Sequence, residues 1–258
     1  MEDLRGKHAL VTGIANKRSI AYAIAQDLAR RGARLALAYL PTGKDVAEAK
    51  MQELAKELGA EHLLPLDAAD PESLKALFAA LRRDWGRLHV LVHAIAMARR
   101  EDLSGDFSET SLEGYLLAQN VSAYSLIAMV REARDLLAKE GGSVTTLTYI
   151  GSQRTCPNYN VMGSAKAALE ANMRYLAMEL GPQKIRVNAV SAGPIRTLSA
   201  SGIKDFLDIL HNAAEHSPLR RNVEPEEVAH AVSFLSSSLA SGITGQVIYV
   251  DAGYNIHG

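Results

Sequence analysis

The sequence predicts an α/β fold, a doubly wound parallel sheet with helices on both faces. Two observations carry this. Strand-like and helix-like segments alternate along the 258 residues, the order in which β-α-β units wind into a parallel sheet. The strand-like segments, such as LVTG, LALAY and VLVHAIA, are apolar runs rather than alternating patterns. Strands covered on both faces look like that. No Pro/Gly/Ser-rich linker, charge block or internal repeat divides the chain. A single Rossmann-type domain over residues 1–258 is therefore expected.

The elements follow in order. His8–Thr12 is a short apolar strand, and 19–30 a helix. Arg34–Tyr39 is the second strand, and 45–58 has helical periodicity. The third strand is 62–66. Pro71–Asp84 is a helix opening on proline, where a missing N–H costs little. The fourth strand is 88–95, and a long helical stretch runs over about 112–138. The fifth strand is 142–149. Asn160–Leu180 is helical, favoured by Ala165, Ala167, Ala168, Leu169, Ala171 and Met173. The sixth strand is 185–190 and the last 246–250. Right-handed crossovers bring the strand C-terminal ends to one rim, where Gly13, Asp67, Ile95, Tyr149 and Gly193 all fall.

Charge and composition exclude several classes. The 28 basic and 29 acidic residues give a net charge of -1, which argues against a nucleic-acid binder. Cys156 is the only cysteine, so no intramolecular disulfide forms and a reducing compartment is the simplest setting. The N-terminus has no long apolar run of the signal-peptide kind, and no segment reaches membrane-spanning length. A cytoplasmic protein is expected. The eight histidines form no metal pattern. His89 and His93 lie in a strand, not on one helix face, and His211 and His216 lack carboxylate support. No catalytic metal is expected, and His93, within an apolar strand, reads as a satisfied structural histidine.

The chemistry centres on YNVMGSAK. Tyr159 and Lys166 are seven residues apart, and Tyr149 lies ten residues before Tyr159. Seven helical residues return to nearly the same face about two turns on, and the lysine side chain leans back toward the helix N-terminus. The pair can therefore border one cleft. A phenol can donate to a developing oxyanion while an ammonium holds a ribose. An exposed lysine and a helix-start tyrosine are the plain alternative. Gly13 allows a sharp turn after the first strand, and Ser19 can start a helix whose free N–H groups face a pyrophosphate. The loop has one glycine where the common dinucleotide signal has three, so an ordinary β-α turn stays open. Asp67 could accept an adenine amino group or cap a local turn near Asp70. Tyr39-Leu40-Pro41 supplies neither an acid for a ribose 2′-hydroxyl nor an arginine for a 2′-phosphate, and Lys44 is the nearest positive charge. NADH is preferred, with NADPH compatible.

Most short-chain dehydrogenases place tyrosine four residues before the lysine and a serine thirteen residues before the tyrosine. Here those positions are Met162 and Thr146, which disfavours ketone reduction. The chain instead resembles the short-chain-dehydrogenase type of enoyl-acyl-carrier-protein reductase of type II fatty acid synthesis. The resemblance rests on Tyr149, Tyr159 and Lys166, on GIANKRSIA from Gly13, on SAGPIRT from Ser191 to Thr197, and on the C-terminal DAGYNI. It covers nearly the whole chain.

The resemblance implies reduction of a trans-2-enoyl thioester by hydride from NADH, the last step of the elongation cycle. Tyr159 would hydrogen-bond the enolate oxygen, Lys166 would hold the nicotinamide ribose, and Tyr149 would lie over the acyl pocket. Gly13, Ile14, Ser19 and Ile20 match phosphate and ribose contacts. Asp67 and Ala68 match the adenine pocket, Ile95 the adenosine ribose, and Ile195 and Thr197 the nicotinamide carboxamide and phosphate. Ala98 matches a substrate contact. Residues 197–212 would form a lid with a greasy face of Ile203, Phe206, Leu207, Ile209 and Leu210. Acyl carrier protein is the implied partner and a homotetramer the implied assembly. Three departures from the pattern stand out. Leu40 replaces a polar residue at the adenosine end. Ala96 replaces a glycine and narrows the room for diphenyl-ether inhibitors. Leu207 and Asp208 follow Lys204 where related lids are more basic, so docking through Lys204 alone is expected to be weak.

Overall fold

His8–Thr12 (β1), Arg34–Tyr39 (β2), His62–Pro65 (β3), Val90–His93 (β4), Gly142–Thr148 (β5), Ile185–Ala192 (β6) and Val247–Val250 (β7) form one sheet. The structure, a computed structural model, describes residues 4–198 and 200–257. The ends of the predicted 1–258 domain and Ser199 of the predicted lid lie outside the described residues. Every strand pair is parallel, in the order β3-β2-β1-β4-β5-β6-β7. The order reverses between β1 and β4, and the crevice beyond the strand ends there is where ligands bind in open α/β sheets.

Eight α-helices accompany the sheet: Ile20–Arg30 (α1), Asp45–Glu57 (α2), Pro71–Asp84 (α3), Leu112–Gln119 (α4), Ser125–Leu137 (α5), Asn160–Leu180 (α6), Phe206–His216 (α7) and Pro225–Ser236 (α8), among the described residues. Successive side chains of a strand point to opposite faces. Ala9 and Val11 of β1 accordingly pack with Ile24, Leu54 and Val232 of α1, α2 and α8. Leu10 packs on the other side with Phe78, Met129 and Leu169 of α3, α5 and α6. Apolar cover on both faces explains the uninterrupted apolar strands of the sequence.

Several predicted boundaries shift by a few residues, and two differences matter more. The long stretch 112–138 is not one helix. A π-helical turn, Asn120–Tyr124, separates α4 from α5. Two serine hydroxyls account for it: Ser122 Oγ donates to Met97 O, outside the helix, at 3.0 Å, and Ser125 Oγ donates to Val121 O at 2.6 Å. Hydroxyls that bond in this way distort the helical ladder. The second is α8, which the reading of the sequence did not single out. Pro225 opens it, and Glu224 and Glu227 form a reciprocal capping box.

Candidate active site

Two cavities share one rim. The larger, of about 540 Å³, runs from Asp67 and Ala68 past Gly13, Ile14 and Ser19 to Lys166. The other, of about 400 Å³, is lined by Ala98, Leu103, Ile195, Ile203, Phe206 and Ile209 among others. Ile20, Tyr149, Tyr159 and Thr197 border both. The residues that the sequence assigns to catalysis and to the cofactor therefore face one continuous cleft, Ile95 included. Of the greasy lid face, Ile203, Phe206 and Ile209 line the cleft, whereas Leu207 and Leu210 do not; α7 turns Leu207 to solvent at 51% exposure.

At its polar end, Gly13 takes φ +80°, and a Cβ there would stand 2.0 Å from Ala94 O. Only glycine lets the chain turn so close to β4. Gly13 N and Ile14 N both donate to Ala38 O, at 3.1 and 3.3 Å. Ser19 caps α1, accepting from Tyr22 N at 3.3 Å. The first turn of α1 carries no acidic side chain, so the helix N-terminus is left to attract an anion. Asp67 lines the cavity and also accepts from Ala69 N at 2.9 Å. The local-turn reading of Asp67 is thus met without removing it from the cleft. Asp70 caps α3 through Glu72 N at 2.9 Å.

The opposite end is built by the end of β5, the turn after it and α6. Tyr149 follows β5 and Tyr159 immediately precedes α6. Their rings meet edge to face at 65°, with centroids 4.9 Å apart. Burial raises both phenols well above their ordinary range, so both remain protonated donors at neutral pH. Lys166 is 5% exposed, and its ammonium donates to Leu147 O at 2.7 Å. Burial pushes it down to about 8, which leaves it largely charged at pH 7. Tyr159 also packs with Ala98 and Ile203 on Leu103, Val161, Met162 and Ala165, so the phenol stands at the border between the polar cleft and an apolar pocket.

Some contributors lay beyond the sequence reading. Gly151 lies under both tyrosines: a Cβ there would be 2.5 Å from the Tyr159 ring and 3.3 Å from that of Tyr149. A Cβ on Gly163 would be 2.8 Å from Gly151 O. These two glycines let α6 close on the turn. Asn158 and Asn160, on either side of Tyr159, take φ 58° and 28°, a region asparagine tolerates better than most residues. Asn158 Nδ2 donates to Lys204 O at 2.9 Å, tying this turn to the segment before α7. Cys156 lines the apolar cavity. His93 is fully buried, with Ser125 Oγ at 2.8 Å and Thr146 Oγ1 at 2.9 Å. It is the structural histidine expected from its apolar strand. Among the described residues, no group of three or more His, Cys, Asp or Glu side chains could hold a metal ion.

The residues present fit a dinucleotide: a glycine turn with no room for a side chain, an acid-free helix N-terminus and a buried ammonium share one long cleft. Fold and site together define a dinucleotide-dependent oxidoreductase of the short-chain dehydrogenase/reductase type. The family profile described as Enoyl-(Acyl carrier protein) reductase matches residues 13–255, and the chain belongs to that family. Among curated relatives, the NADH-dependent enoyl-acyl-carrier-protein reductase of a Nostoc species is 52% identical over 258 residues, covering 100% of both chains. That of Escherichia coli is 45% identical, covering 98% of this chain and 95% of its own. The solved Bacillus cereus enoyl-acyl carrier protein reductase, bound to NADP+ and an indole naphthyridinone, superposes with a TM-score of 0.95. It is 49% identical, and each chain is covered over 100% of its length.

Proposed function

We propose that this protein reduces the trans-2 double bond of enoyl groups carried as thioesters on acyl carrier protein, using NADH, in the last step of the fatty acid elongation cycle. It is an NADH-dependent oxidoreductase. The observation that carries the reading is the meeting of two tyrosines and a buried lysine where a dinucleotide-shaped cleft opens into an apolar pocket.

When bound, NADH would supply the hydride that adds to C3 of the enoyl group, and a proton taken up at C2 then completes the saturated thioester. Gly13, Ile14, Ser19 and Ile20 hold its phosphates and a ribose, Asp67, Ala68 and Ile95 its adenosine end, and Ile195 and Thr197 its nicotinamide end. Lys166 holds the nicotinamide ribose as an ammonium and orients the reacting face. The Tyr159 hydroxyl donates to the thioester oxygen as negative charge collects there, an oxyanion stabilisation. The phenol carries its proton at neutral pH, and burial favours that form further. Tyr149 braces the Tyr159 ring and walls the acyl pocket. Ala98, Ile203 and Phe206 contact the acyl chain.

Residues 197–212 act as the lid of the single domain, and Ile203, Phe206 and Ile209, which line the apolar cavity, support this. The homotetramer is supported by apolar side chains left in solvent on neighbouring helices, among them Leu112 at 74% exposure on α4 and Tyr175 and Met178 at 81% and 83% on α6. A cytoplasmic setting accords with the absence, among the described residues, of any helix long and apolar enough to cross a membrane.

The test is NADH oxidation with crotonyl and longer trans-2-enoyl thioesters beside an acetoacetyl thioester. Turnover of the enoyl substrates alone is expected. Turnover of the ketoacyl substrate alone would overturn the reading, as would NADH binding without reduction of any enoyl thioester.

A further inference from the structure

Glu170 is a carboxylate buried to 4% exposure that none of the steps above uses. It lies one helical turn beyond Lys166 on α6. Its Oε1 accepts from Thr148 Oγ1 at 2.7 Å and from Ser152 Oγ at 2.6 Å. Those two hydroxyls stand on either side of Tyr149, and Lys166 holds the adjoining Leu147 O at 2.7 Å. One face of α6 thus grips the end of β5 and the following turn at three points, with Tyr149 between them.

We propose that Glu170 is a positioning residue, whose carboxylate fixes the segment bearing Tyr149 and supplies the counter-charge of the Lys166 ammonium. The inference rests on the reductase reading of the site. A carboxylate is costly to bury unless it is hydrogen-bonded or paired, and here two hydroxyls donate to it, while the Lys166 ammonium, one turn back, bonds Leu147 O and acts on it through space. Burial works against the charge on Lys166, and Glu170 works for it. Glu170 also acts on Tyr249 of β7, and His93 of β4, held down to about 3 by burial, feels the Lys166 charge and stays neutral. Burial holds Tyr249 in its neutral phenol form, and Asp251 and Arg154 act on that phenol with opposite sign. Lys166 is therefore the group whose charge changes near neutrality.

The discriminating experiment compares wild type with Glu170→Gln, which keeps the shape and removes the charge. NADH affinity is followed by fluorescence across pH, without substrate, and kcat/KM with an enoyl thioester is followed beside it. In wild type, affinity should break near pH 8, where Lys166 loses its proton. In Glu170→Gln the break should move down by about one pH unit, the size of effect expected from losing an adjacent opposite charge. Ser152→Ala, which removes one tie and no charge, should lower kcat and leave the break in place. A break at the same pH in wild type and Glu170→Gln would overturn the proposal, as would a loss of affinity uniform across pH. Should Glu170→Gln not fold, Glu170→Asp carries the test: retained charge predicts an unmoved break with lowered kcat, and a moved break would sink it. Failure of wild type to reduce any enoyl thioester would count against the reductase reading alone, because the affinity profile needs no turnover.

Discussion

Gly13→Ala is the most direct probe of the cofactor turn. Gly13 lies at φ +80°, and its Cβ would sit 2.0 Å from Ala94 O and 2.7 Å from Ala94 C. Two costs add. A left-handed backbone costs an alanine about 1–2 kcal/mol. The contact must also open by roughly an ångström against backbone that cannot rotate aside, as a side chain could, and overpacking of this kind costs about 1–3 kcal/mol. The sum is about 2–5 kcal/mol. A chain of this size loses about 2–4 °C in Tm per kcal/mol, so circular dichroism should record a fall of about 10 °C. NADH affinity should drop as well, because the turn that moves also carries Ile14. Gly59→Ala separates the two costs: Gly59 has φ +64° with nothing within 4 Å of its would-be Cβ, so only the backbone cost applies. A Gly13→Ala protein no less stable than Gly59→Ala, with unchanged NADH affinity, would refute the close-approach argument.

Two further outcomes are expected. Tyr159→Phe removes one donor to the developing oxyanion and should lower kcat about 10²–10³-fold, while the NADH dissociation constant, governed by Lys166, stays put; wild-type turnover in this variant would remove Tyr159 from the chemistry. His93 is held down to about 3 by burial, with Lys166 adding to the effect, against an ordinary 6.5. Between those values the unfolded chain binds a proton that the folded one does not, so stability falls as pH drops below 6.5. His93→Asn should show a shallower fall of Tm between pH 6.5 and 4, and matching slopes would disprove the assignment.

The inner strands were legible because they are buried on both faces, which writes the pattern into composition alone; the edge strands β3 and β7 are only partly buried. The helix carrying Lys166 was legible from its alanines, and the Tyr159–Lys166 spacing from helical geometry. The break at Asn120–Tyr124 was not, because it depends on where the Ser122 hydroxyl finds Met97 O, 25 residues away in sequence. Nor could spacing reveal Gly151 or Gly163, whose missing side chains matter only once α6 lies on the turn. The asparagines around Tyr159 did carry a local signal, tolerance of positive φ. So did Pro225 and the two glutamates of the α8 capping box. Glu170 carried none: in sequence it is an ordinary helical acid, and only its burial against two hydroxyls sets it apart.

The all-parallel sheet also bears on how the chain reaches this state. β1 lies between β2 and β4, and the bond from Thr12 Oγ1 to Val92 O spans 80 residues. Ser143 Oγ reaches Leu235 O across 92. Parallel strands pair only after a long crossover has closed, so contacts distant in sequence dominate and assembly is slow. During synthesis β1 emerges before β4 and waits for it with apolar residues uncovered. β3, β2, β1 and β4 are complete once His93 has been made, whereas β6 and β7 must await α8 and the last strand. Folding should proceed from the phosphate-binding half toward the acyl-binding half. Nascent chains stalled before β5 would then be the species most prone to aggregate.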